Sequence, residues 1–292
     1  MKHPNQNPVP SPNEDHFRSS YVIFAMLGIA GLLSVLVSAC SPKSDFTNEG
    51  AAISAGVIQQ KVISNFDLNS SRRIVITVDD GPTPVLSGRL LDLLKKENVH
   101  ASFFLIGANI KGNEAIVKRM QQEGHVIGNH SMTHPNLSNP IYAQNPALVA
   151  KELLDADLLI RPYLKSQKRP YFRPPGGHWL PQFAALLNTD SLLKSYVGPI
   201  FWNIGGQLTF DRQGQVENAA DWACWAPRYS IPLDDCVQGY LNEIAGHGGG
   251  VMLMHDKSQK SIDLLAKLIP LLKAQGYEFV TLDNLPELDA LR

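Results

Sequence analysis

From Arg72 onward, short segments rich in apolar and β-branched residues alternate with longer segments in which apolar residues recur every three or four positions. This alternation is the strongest constraint on the fold, because strands interleaved with helices form a mostly parallel sheet. Such a sheet is either open and doubly wound or closed into a barrel, and both architectures gather functional groups at the carboxyl ends of the strands. The sequence therefore predicts a single α/β domain, without internal repeats.

The pattern predicts seven strands: Ile74–Val78, Ser102–Ile106, Val126–Gly128, Tyr171–Arg173, Ile200–Ile204, Val251–Met254 and Glu278–Thr281. It also predicts helices at Leu86–Lys96, Asn113–Gln122, Ala147–Ile160, Pro181–Leu187, Val237–Ile244 and Ser261–Ala274. With Lys+Arg 26 against Asp+Glu 27, the net charge is −1, which argues against binding to the phosphates of nucleic acid. A core of this size needs no metal merely to fold, so a bound metal would serve chemistry.

An uncharged apolar segment, residues 21–39, is followed directly by Cys40, so the sequence at this junction is Val37-Ser38-Ala39-Cys40. This ending resembles the bacterial lipoprotein signal, in which the cysteine is lipidated and the preceding residues are removed. A retained transmembrane helix is the alternative, because the segment is long enough to span a bilayer. The lipoprotein interpretation predicts an export signal at residues 1–39, a tether at residues 40–71, a folded domain at residues 72–292 and a membrane-anchored protein facing the periplasm.

Two further cysteines, Cys224 and Cys236, lie twelve positions apart. In an exported protein this pair favours a disulfide over two buried free thiols, because the compartment is oxidising. We therefore predict a bridge, which would stabilise the fold by about 3 kcal/mol in the chain-entropy view.

Paired carboxylates end the first predicted strand, in Val78-Asp79-Asp80-Gly81-Pro82. Neighbours on a regular strand point to opposite faces, so both acids reach one site only where the strand breaks, which Gly81-Pro82 supplies. Taken alone, this pattern indicates an Asx turn that caps the next helix more often than a catalytic site.

Paired histidines follow the third predicted strand, in His130-Ser131-Met132-Thr133-His134. Residues four apart on a helical turn share a face and would hold a divalent cation. Together with Asp80 they form a two-histidine, one-carboxylate set with open coordination positions, which suits zinc or another first-row metal acting on water. Asp79 would then lie beside the metal and take a proton from water, whereas His125, within the strand, is interpreted as structural.

Two more strand ends carry functional side chains. Tyr171-Phe172-Arg173-Pro174-Pro175-Gly176-Gly177 delivers a guanidinium that would keep Asp79 ionised and oriented. At the end of the sixth predicted strand, His255 is placed to act as a general acid that protonates a leaving amine. A histidine in that position, taken alone, is more often an ordinary hydrogen-bonded surface residue.

Taken together, the segments TVDDGP, HSMTHP, RPPGG and LMH resemble, in order and spacing, those of the polysaccharide deacetylases, carbohydrate esterase family 4. The resemblance covers roughly residues 72–285. It implies a distorted β/α barrel of about seven strands with one catalytic domain. It also implies that Asp79 is the general base, that Arg173 positions it, that His255 is the general acid, and that the metal ligands are Asp80, His130 and His134.

In the same family, a residue matching Leu253 lines the pocket for the acetyl methyl group, and a tyrosine often follows the paired prolines. This chain has Gly176 there, so the backbone donor survives but the ring is lost, and Trp179 or His178 is the predicted replacement. The acidic residue that supports the catalytic histidine is also absent from its usual place, which Asn203 occupies. Asp221 is the candidate to replace it, delivered by an insertion that the cysteine bridge would hold in place. The alternative is that Asp221 is an ordinary surface aspartate followed by a packed tryptophan, Trp222.

The resemblance implies metal-dependent removal of N-acetyl groups from an N-acetylglucosamine polymer of the cell envelope, with peptidoglycan as the first candidate. Poly-N-acetylglucosamine, chitin oligomers and acetylated xylan are alternative substrates, and a non-catalytic glycan-binding protein is the alternative from another class. One divalent metal is expected, zinc first, with cobalt, nickel, manganese or iron as alternatives. The expected partners are the polysaccharide and, through a lipid on Cys40, a membrane.

Overall fold

The computed structural model describes residue 68 and residues 70–289. The predicted export signal, Cys40 and nearly all of the predicted tether lie outside the described residues. Among the helices of the described part, none is both long and apolar enough to cross a membrane.

The strands are β1 Arg73–Gly81, β2 Ser102–Leu105, β3 Val126–Asn129, β4 Tyr171–Phe172, β5 Thr209–Phe210, β6 Val216–Asn218, β7 Gly250–His255 and β8 Glu278–Val280. The α-helices are α1 Leu86–Lys96, α2 Glu114–Gln122, α3 Pro140–Gln144, α4 Pro146–Ile160, α5 Phe183–Thr189, α6 Asp221–Trp225, α7 Leu233–His247, α8 Gln259–Ala274 and α9 Pro286–Asp289. Short 3₁₀ turns connect several of them.

A parallel sheet forms the centre of the fold, in the order β4-β3-β2-β1-β7, with β8 pairing to the beginning of β1. From Ile74 to Gly81 every residue of β1 is buried, as expected for a parallel strand covered on both faces. Helices α1 and α8 supply leucines to the largest apolar cluster beside this strand. The prediction of an α/β fold with a mostly parallel sheet is confirmed.

The interval between the two edge strands, β4 and β7, is crossed by an irregular segment, residues 197–204. Val197 forms an isolated parallel bridge to Tyr171 in β4, and Ile204 forms another to Met252 in β7. The prediction of a regular strand at Ile200–Ile204 is therefore wrong, and the sheet does not close into a continuous barrel. The physical reason is that the carbonyls of Ile200 and Phe201 accept hydrogen bonds from the Arg173 guanidinium instead of from a neighbouring strand.

An insertion between this segment and β7 contains the antiparallel pair β5–β6, the short helix α6 and the longer helix α7. The hairpin was not predicted, because strands of two and three residues leave no periodicity to detect. A disulfide joins Cys224 of α6 to Cys236 of α7, and both cysteines are buried. Helix α7 is capped at its C-terminus by Gly248, whose φ of 70° is left-handed and suits a residue without Cβ.

Candidate active site

The two carboxylates at the end of β1 reach the same site because the strand bulges between them. Asp79 pairs with Phe104 of β2, whereas the next register partner, Leu105, pairs with Gly81, so Asp80 is the extra residue. The φ of Asp80 is 75°, which is uncommon for a residue with a Cβ and marks local strain. The break in the strand therefore comes one residue earlier than the Gly81-Pro82 turn that the sequence indicated.

Asp79 is held by Arg173, which follows β4 and is completely buried. Arg173 Nη1 donates to Asp79 Oδ1 at 2.7 Å and to Thr77 Oγ1 at 2.8 Å. Burial lowers the pKa of Arg173, and the Asp79 carboxylate opposes that shift. The pKa of a free guanidinium is so far above neutral pH that Arg173 stays charged, and this fixed cation pairs with the Asp79 carboxylate and orients it.

The remaining donors of Arg173 fix its direction. Nε donates to the carbonyl of Ile200 at 2.9 Å, and Nη2 donates to the carbonyl of Phe201 at 3.2 Å. The guanidinium also lies over the ring of Phe104, 4.4 Å from its centroid. Both carbonyls belong to the irregular segment 197–204. This segment therefore helps to orient Arg173 toward Asp79.

His130 and His134 come together in a tight turn rather than on the helical turn that their spacing suggested. Ser131 and His134 have φ angles of 66° and 60°, and the two imidazole centroids are 5.1 Å apart. Glu152 of α4 holds this turn by accepting hydrogen bonds from the backbone N–H groups of Met132 at 3.0 Å and Thr133 at 2.8 Å. Sequence reasoning missed Glu152, which reaches the turn from a separate helix.

One atom each from Asp80, His130 and His134 lies within 4.8 Å of the others, so the three could hold a metal ion. Asp80 Oδ1 is 3.0 Å from His134 Nε2 and 3.4 Å from His130 Nε2, yet it is buried and receives no hydrogen bond. Burial raises the pKa of the Asp80 carboxyl, and the neighbouring ammonium of Lys257 lowers it.

The tautomer of His130 also indicates that these residues form a metal site. His130 Nδ1 is 2.9 Å from the carbonyl oxygen of Arg173, which only accepts hydrogen bonds, so Nδ1 carries the proton. In the neutral ring, Nε2 then directs a lone pair at the buried oxygen of Asp80. Two lone pairs that face each other repel unless a cation lies between them, so the residues present fit a divalent metal.

His255, at the end of β7, is paired with Asp221. The carboxylate of Asp221 accepts from the His255 backbone N–H and from Nδ1, both at 2.8 Å, and from Ser261 Oγ at 2.7 Å. Burial alone would lower the pKa of His255, but the charge and hydrogen bond of Asp221 outweigh it and raise the pKa to about 9. His255 is thus protonated at neutral pH, and its Nε2 remains for a substrate.

Two connections from α7 hold Asp221 in place. Its backbone N–H donates to the Tyr240 hydroxyl at 3.0 Å, and that hydroxyl donates to the Leu253 carbonyl at 3.1 Å. Three residues after Asp221, Cys224 is bonded to Cys236. Asn203, which occupies the usual place of the acid, instead accepts the backbone N–H of Val251 at 2.7 Å. The insertion therefore brings a carboxylate to the histidine, as the sequence suggested for Asp221.

The three residues predicted to line the substrate pocket have different surroundings. Leu253 is two residues before His255 on β7 and shares its face of the sheet. Gly176 lies at an exposed turn with a φ of 57°. Trp179 packs against Phe172 and Phe183, with ring centroids 5.2 and 5.3 Å away, so much of its ring serves the core.

An aromatic that sequence reasoning did not select, Trp202, contacts Arg173 of the site. Its ring is 5.2 Å from the guanidinium carbon of Arg173. Asp256 was also missed, and this buried carboxylate accepts from the Thr83 hydroxyl at 2.9 Å and from Ser87. Its position directly after His255 was the available signal. The residue interpreted as structural, His125, accepts the backbone N–H of Ala101 at 3.1 Å, and burial lowers its pKa to about 4.

Comparison with known proteins gives consistent matches. The sequence profile of the polysaccharide deacetylase family matches residues 68–191. A peptidoglycan-N-acetylglucosamine deacetylase from Bacillus cereus is 31% identical over 224 residues, which cover 74% of this chain and 89% of that protein. A chitooligosaccharide deacetylase from Bradyrhizobium is 28% identical over 233 residues, which cover 75% of this chain and 93% of that protein.

Among solved structures, a family 4 carbohydrate esterase from Bacillus anthracis matches at 30% identity with a TM-score of 0.52, covering 73% of this chain and 82% of the other. The family profile spans the carboxylates at the end of β1, the paired histidines of the turn and the arginine that follows β4. The chain is therefore a polysaccharide deacetylase, a member of carbohydrate esterase family 4.

Proposed function

We propose that this protein removes N-acetyl groups from N-acetylglucosamine residues of peptidoglycan, releasing acetate and leaving a free amino sugar. The observation that carries the proposal is the placement of two differently paired groups at one metal-binding cluster. Asp79 is paired with and oriented by buried Arg173, and His255 is held as a cation by Asp221. Amide hydrolysis requires one group that accepts a proton and another that donates one, and the different partners of Asp79 and His255 suit them to these two roles.

The metal, held by Asp80, His130 and His134, would supply Lewis-acid activation of water and of the acetyl carbonyl. Asp79 takes a proton from the attacking water, since its Oδ2 lies 3.6 Å from His130 Nε2, on the side of the ligand cluster. His255 gives its proton to the departing sugar nitrogen, which would otherwise leave as an unstable anion. Leu253 packs against the acetyl methyl group, and the backbone N–H of Gly176 donates to the carbonyl oxygen.

Zinc is the metal that we propose, because two imidazoles and one carboxylate with open positions form a common catalytic zinc set. Cobalt, nickel, manganese and iron accept the same donors. Metal content of protein purified from cells grown without metal supplement distinguishes them.

Peptidoglycan is proposed as the substrate on two grounds. The Bacillus cereus relative, by its name, acts on peptidoglycan. In addition, we propose that the chain is exported and anchored through a lipid on Cys40, which would place the domain beside the cell wall. Chitin oligomers are the second candidate, because the relative from Bradyrhizobium is named for them.

The test is acetate release by the purified, metal-loaded full-length protein from peptidoglycan, from N-acetylglucosamine oligomers and from acetylated xylan. We expect release from peptidoglycan at the highest kcat/KM. Faster release from the oligomers or from xylan would move the assignment to that substrate. Absence of release from all three, with the metal bound, would favour a glycan-binding protein without activity.

The Asp221→Asn variant should shift the pH dependence of turnover toward lower pH. His255 must be protonated to act as an acid, and its pKa of about 9 depends mainly on the Asp221 carboxylate. Without that charge, burial is the dominant influence and lowers the pKa, so the alkaline limb of the kcat profile should fall well before about pH 9. A variant whose profile coincides with that of the wild type would contradict the pairing.

The Cys40→Ala variant tests the proposed anchor. Without the cysteine no lipid can be attached, so we expect labelled palmitate to be incorporated into the wild-type protein and not into the variant. A wild-type protein that incorporates no label and keeps its N-terminus intact would support a retained transmembrane helix instead.

A further inference from the structure

Lys257 lies at the rim of the metal-binding cluster, two residues after His255. Its Nζ is 2.8 Å from Asp80 Oδ2, and its side chain is 43% exposed whereas that of Asp80 is only 10% exposed. Neither the resemblance nor the proposed mechanism uses this lysine. It is nevertheless an ammonium in direct contact with a proposed metal ligand.

The two oxygens of Asp80 have different surroundings. Oδ1 faces His130 and His134 and receives no hydrogen bond, whereas Oδ2 is occupied by Lys257. The backbone carbonyl of Asp80 is fixed as well, by the side-chain amide of Asn109 at 2.9 Å. The carboxylate is therefore anchored by its backbone and by one oxygen, with the other oxygen left for the cluster.

We propose that Lys257 is a positioning residue that holds Oδ2 of Asp80, so that Asp80 offers a single oxygen to the metal. The inference rests on the proposed metal-dependent function. A carboxylate can bind a metal through one oxygen or through both. Catalytic sites keep positions open for water and substrate, and a second carboxylate oxygen would occupy one of them.

The charge of Lys257 supports a role in geometry rather than in metal affinity. A cation so close to the cluster repels a divalent metal, so by charge alone it weakens binding. Because Asp80 Oδ2 points at the lysine, loss of the ammonium would leave that oxygen free to turn toward the metal. The contact is thus expected to favour turnover at a cost in affinity.

The experiment compares wild-type protein with Lys257→Met, which keeps the aliphatic stem, and with Lys257→Arg, which keeps the charge. Lys260→Met is the matched control, because Lys260 is an exposed lysine on α8. Three quantities are measured on the full-length protein: the Kd for zinc by chelator competition, the visible spectrum of the cobalt(II) form, and kcat and KM on an N-acetylglucosamine oligomer.

For Lys257→Met we expect a zinc Kd equal to or lower than that of the wild type, an altered cobalt spectrum, and a kcat reduced about 10- to 100-fold with little change in KM. Lys257→Arg should restore the wild-type spectrum and most of kcat, and Lys260→Met should match the wild type. An unchanged spectrum and kcat in Lys257→Met would overturn the inference, as would an effect on KM alone, which would indicate a contact with substrate. Failure of the wild type itself to release acetate would instead reject the proposed function, and the spectra would still test the role of Lys257.

Discussion

Replacement of Asp79 by asparagine is expected to reduce turnover about 10²- to 10⁴-fold while metal binding is retained. The amide has nearly the shape of the carboxylate, and its oxygen can still accept the hydrogen bond that Arg173 Nη1 now donates to Oδ1. It cannot accept a proton from water at neutral pH. Because Asp80, His130 and His134 are unchanged, the ligand set should still load with metal.

The same substitution also has a predictable effect on stability, which must be separated from the effect on chemistry. Arg173 is completely buried, and Asp79 is the carboxylate that neutralises it. Breaking a buried ion pair by removal of one charge typically costs about 3–5 kcal/mol. The variant should therefore unfold at a lower temperature, and its kinetics should be measured well below its melting transition.

The measurements are acetate release, metal content and thermal unfolding of Asp79→Asn beside the control Asp235→Asn, an exposed aspartate in the first turn of α7. The control should match the wild type in all three. A folded, metal-loaded Asp79→Asn protein with near-normal kcat would reject Asp79 as the base.

Residues at strand ends could be predicted from the sequence because their positions follow from short-range pattern. Asp79, Arg173 and His255 each follow an apolar run, and the carboxyl ends of parallel strands meet at one edge of the sheet. No further information is needed to expect them together. The sequence did not predict the bulge at Asp80 or the tight turn between His130 and His134. Both depend on residues with positive φ, and such a conformation produces no periodic pattern of apolar residues in the sequence.

Residues that act across long sequence separations were harder to predict. Asp221 reaches His255 through an insertion whose path depends on a disulfide and on the Tyr240 hydroxyl. Glu152 reaches the histidine turn from α4, and its spacing resembles that of any polar residue on a helix. Only tertiary structure distinguishes such residues from solvated ones, so a carboxylate missing from its usual place is weak evidence of lost function.

Replacement of His130 by alanine is expected to abolish acetate release through loss of the metal. His130 is buried and its Nδ1–H is fixed by the Arg173 carbonyl, so the substitution removes one of the three ligands that the described residues supply. Changes to residues that merely support metal ligands cost about 10- to 100-fold in affinity, so loss of a ligand should raise the Kd for zinc by at least about 100-fold. Chelator competition measures this Kd, with His100→Ala, at an exposed histidine, as the control. A His130→Ala protein that keeps its metal after dialysis would show that the ion binds elsewhere and would remove the basis for the assigned roles of Asp80 and His134.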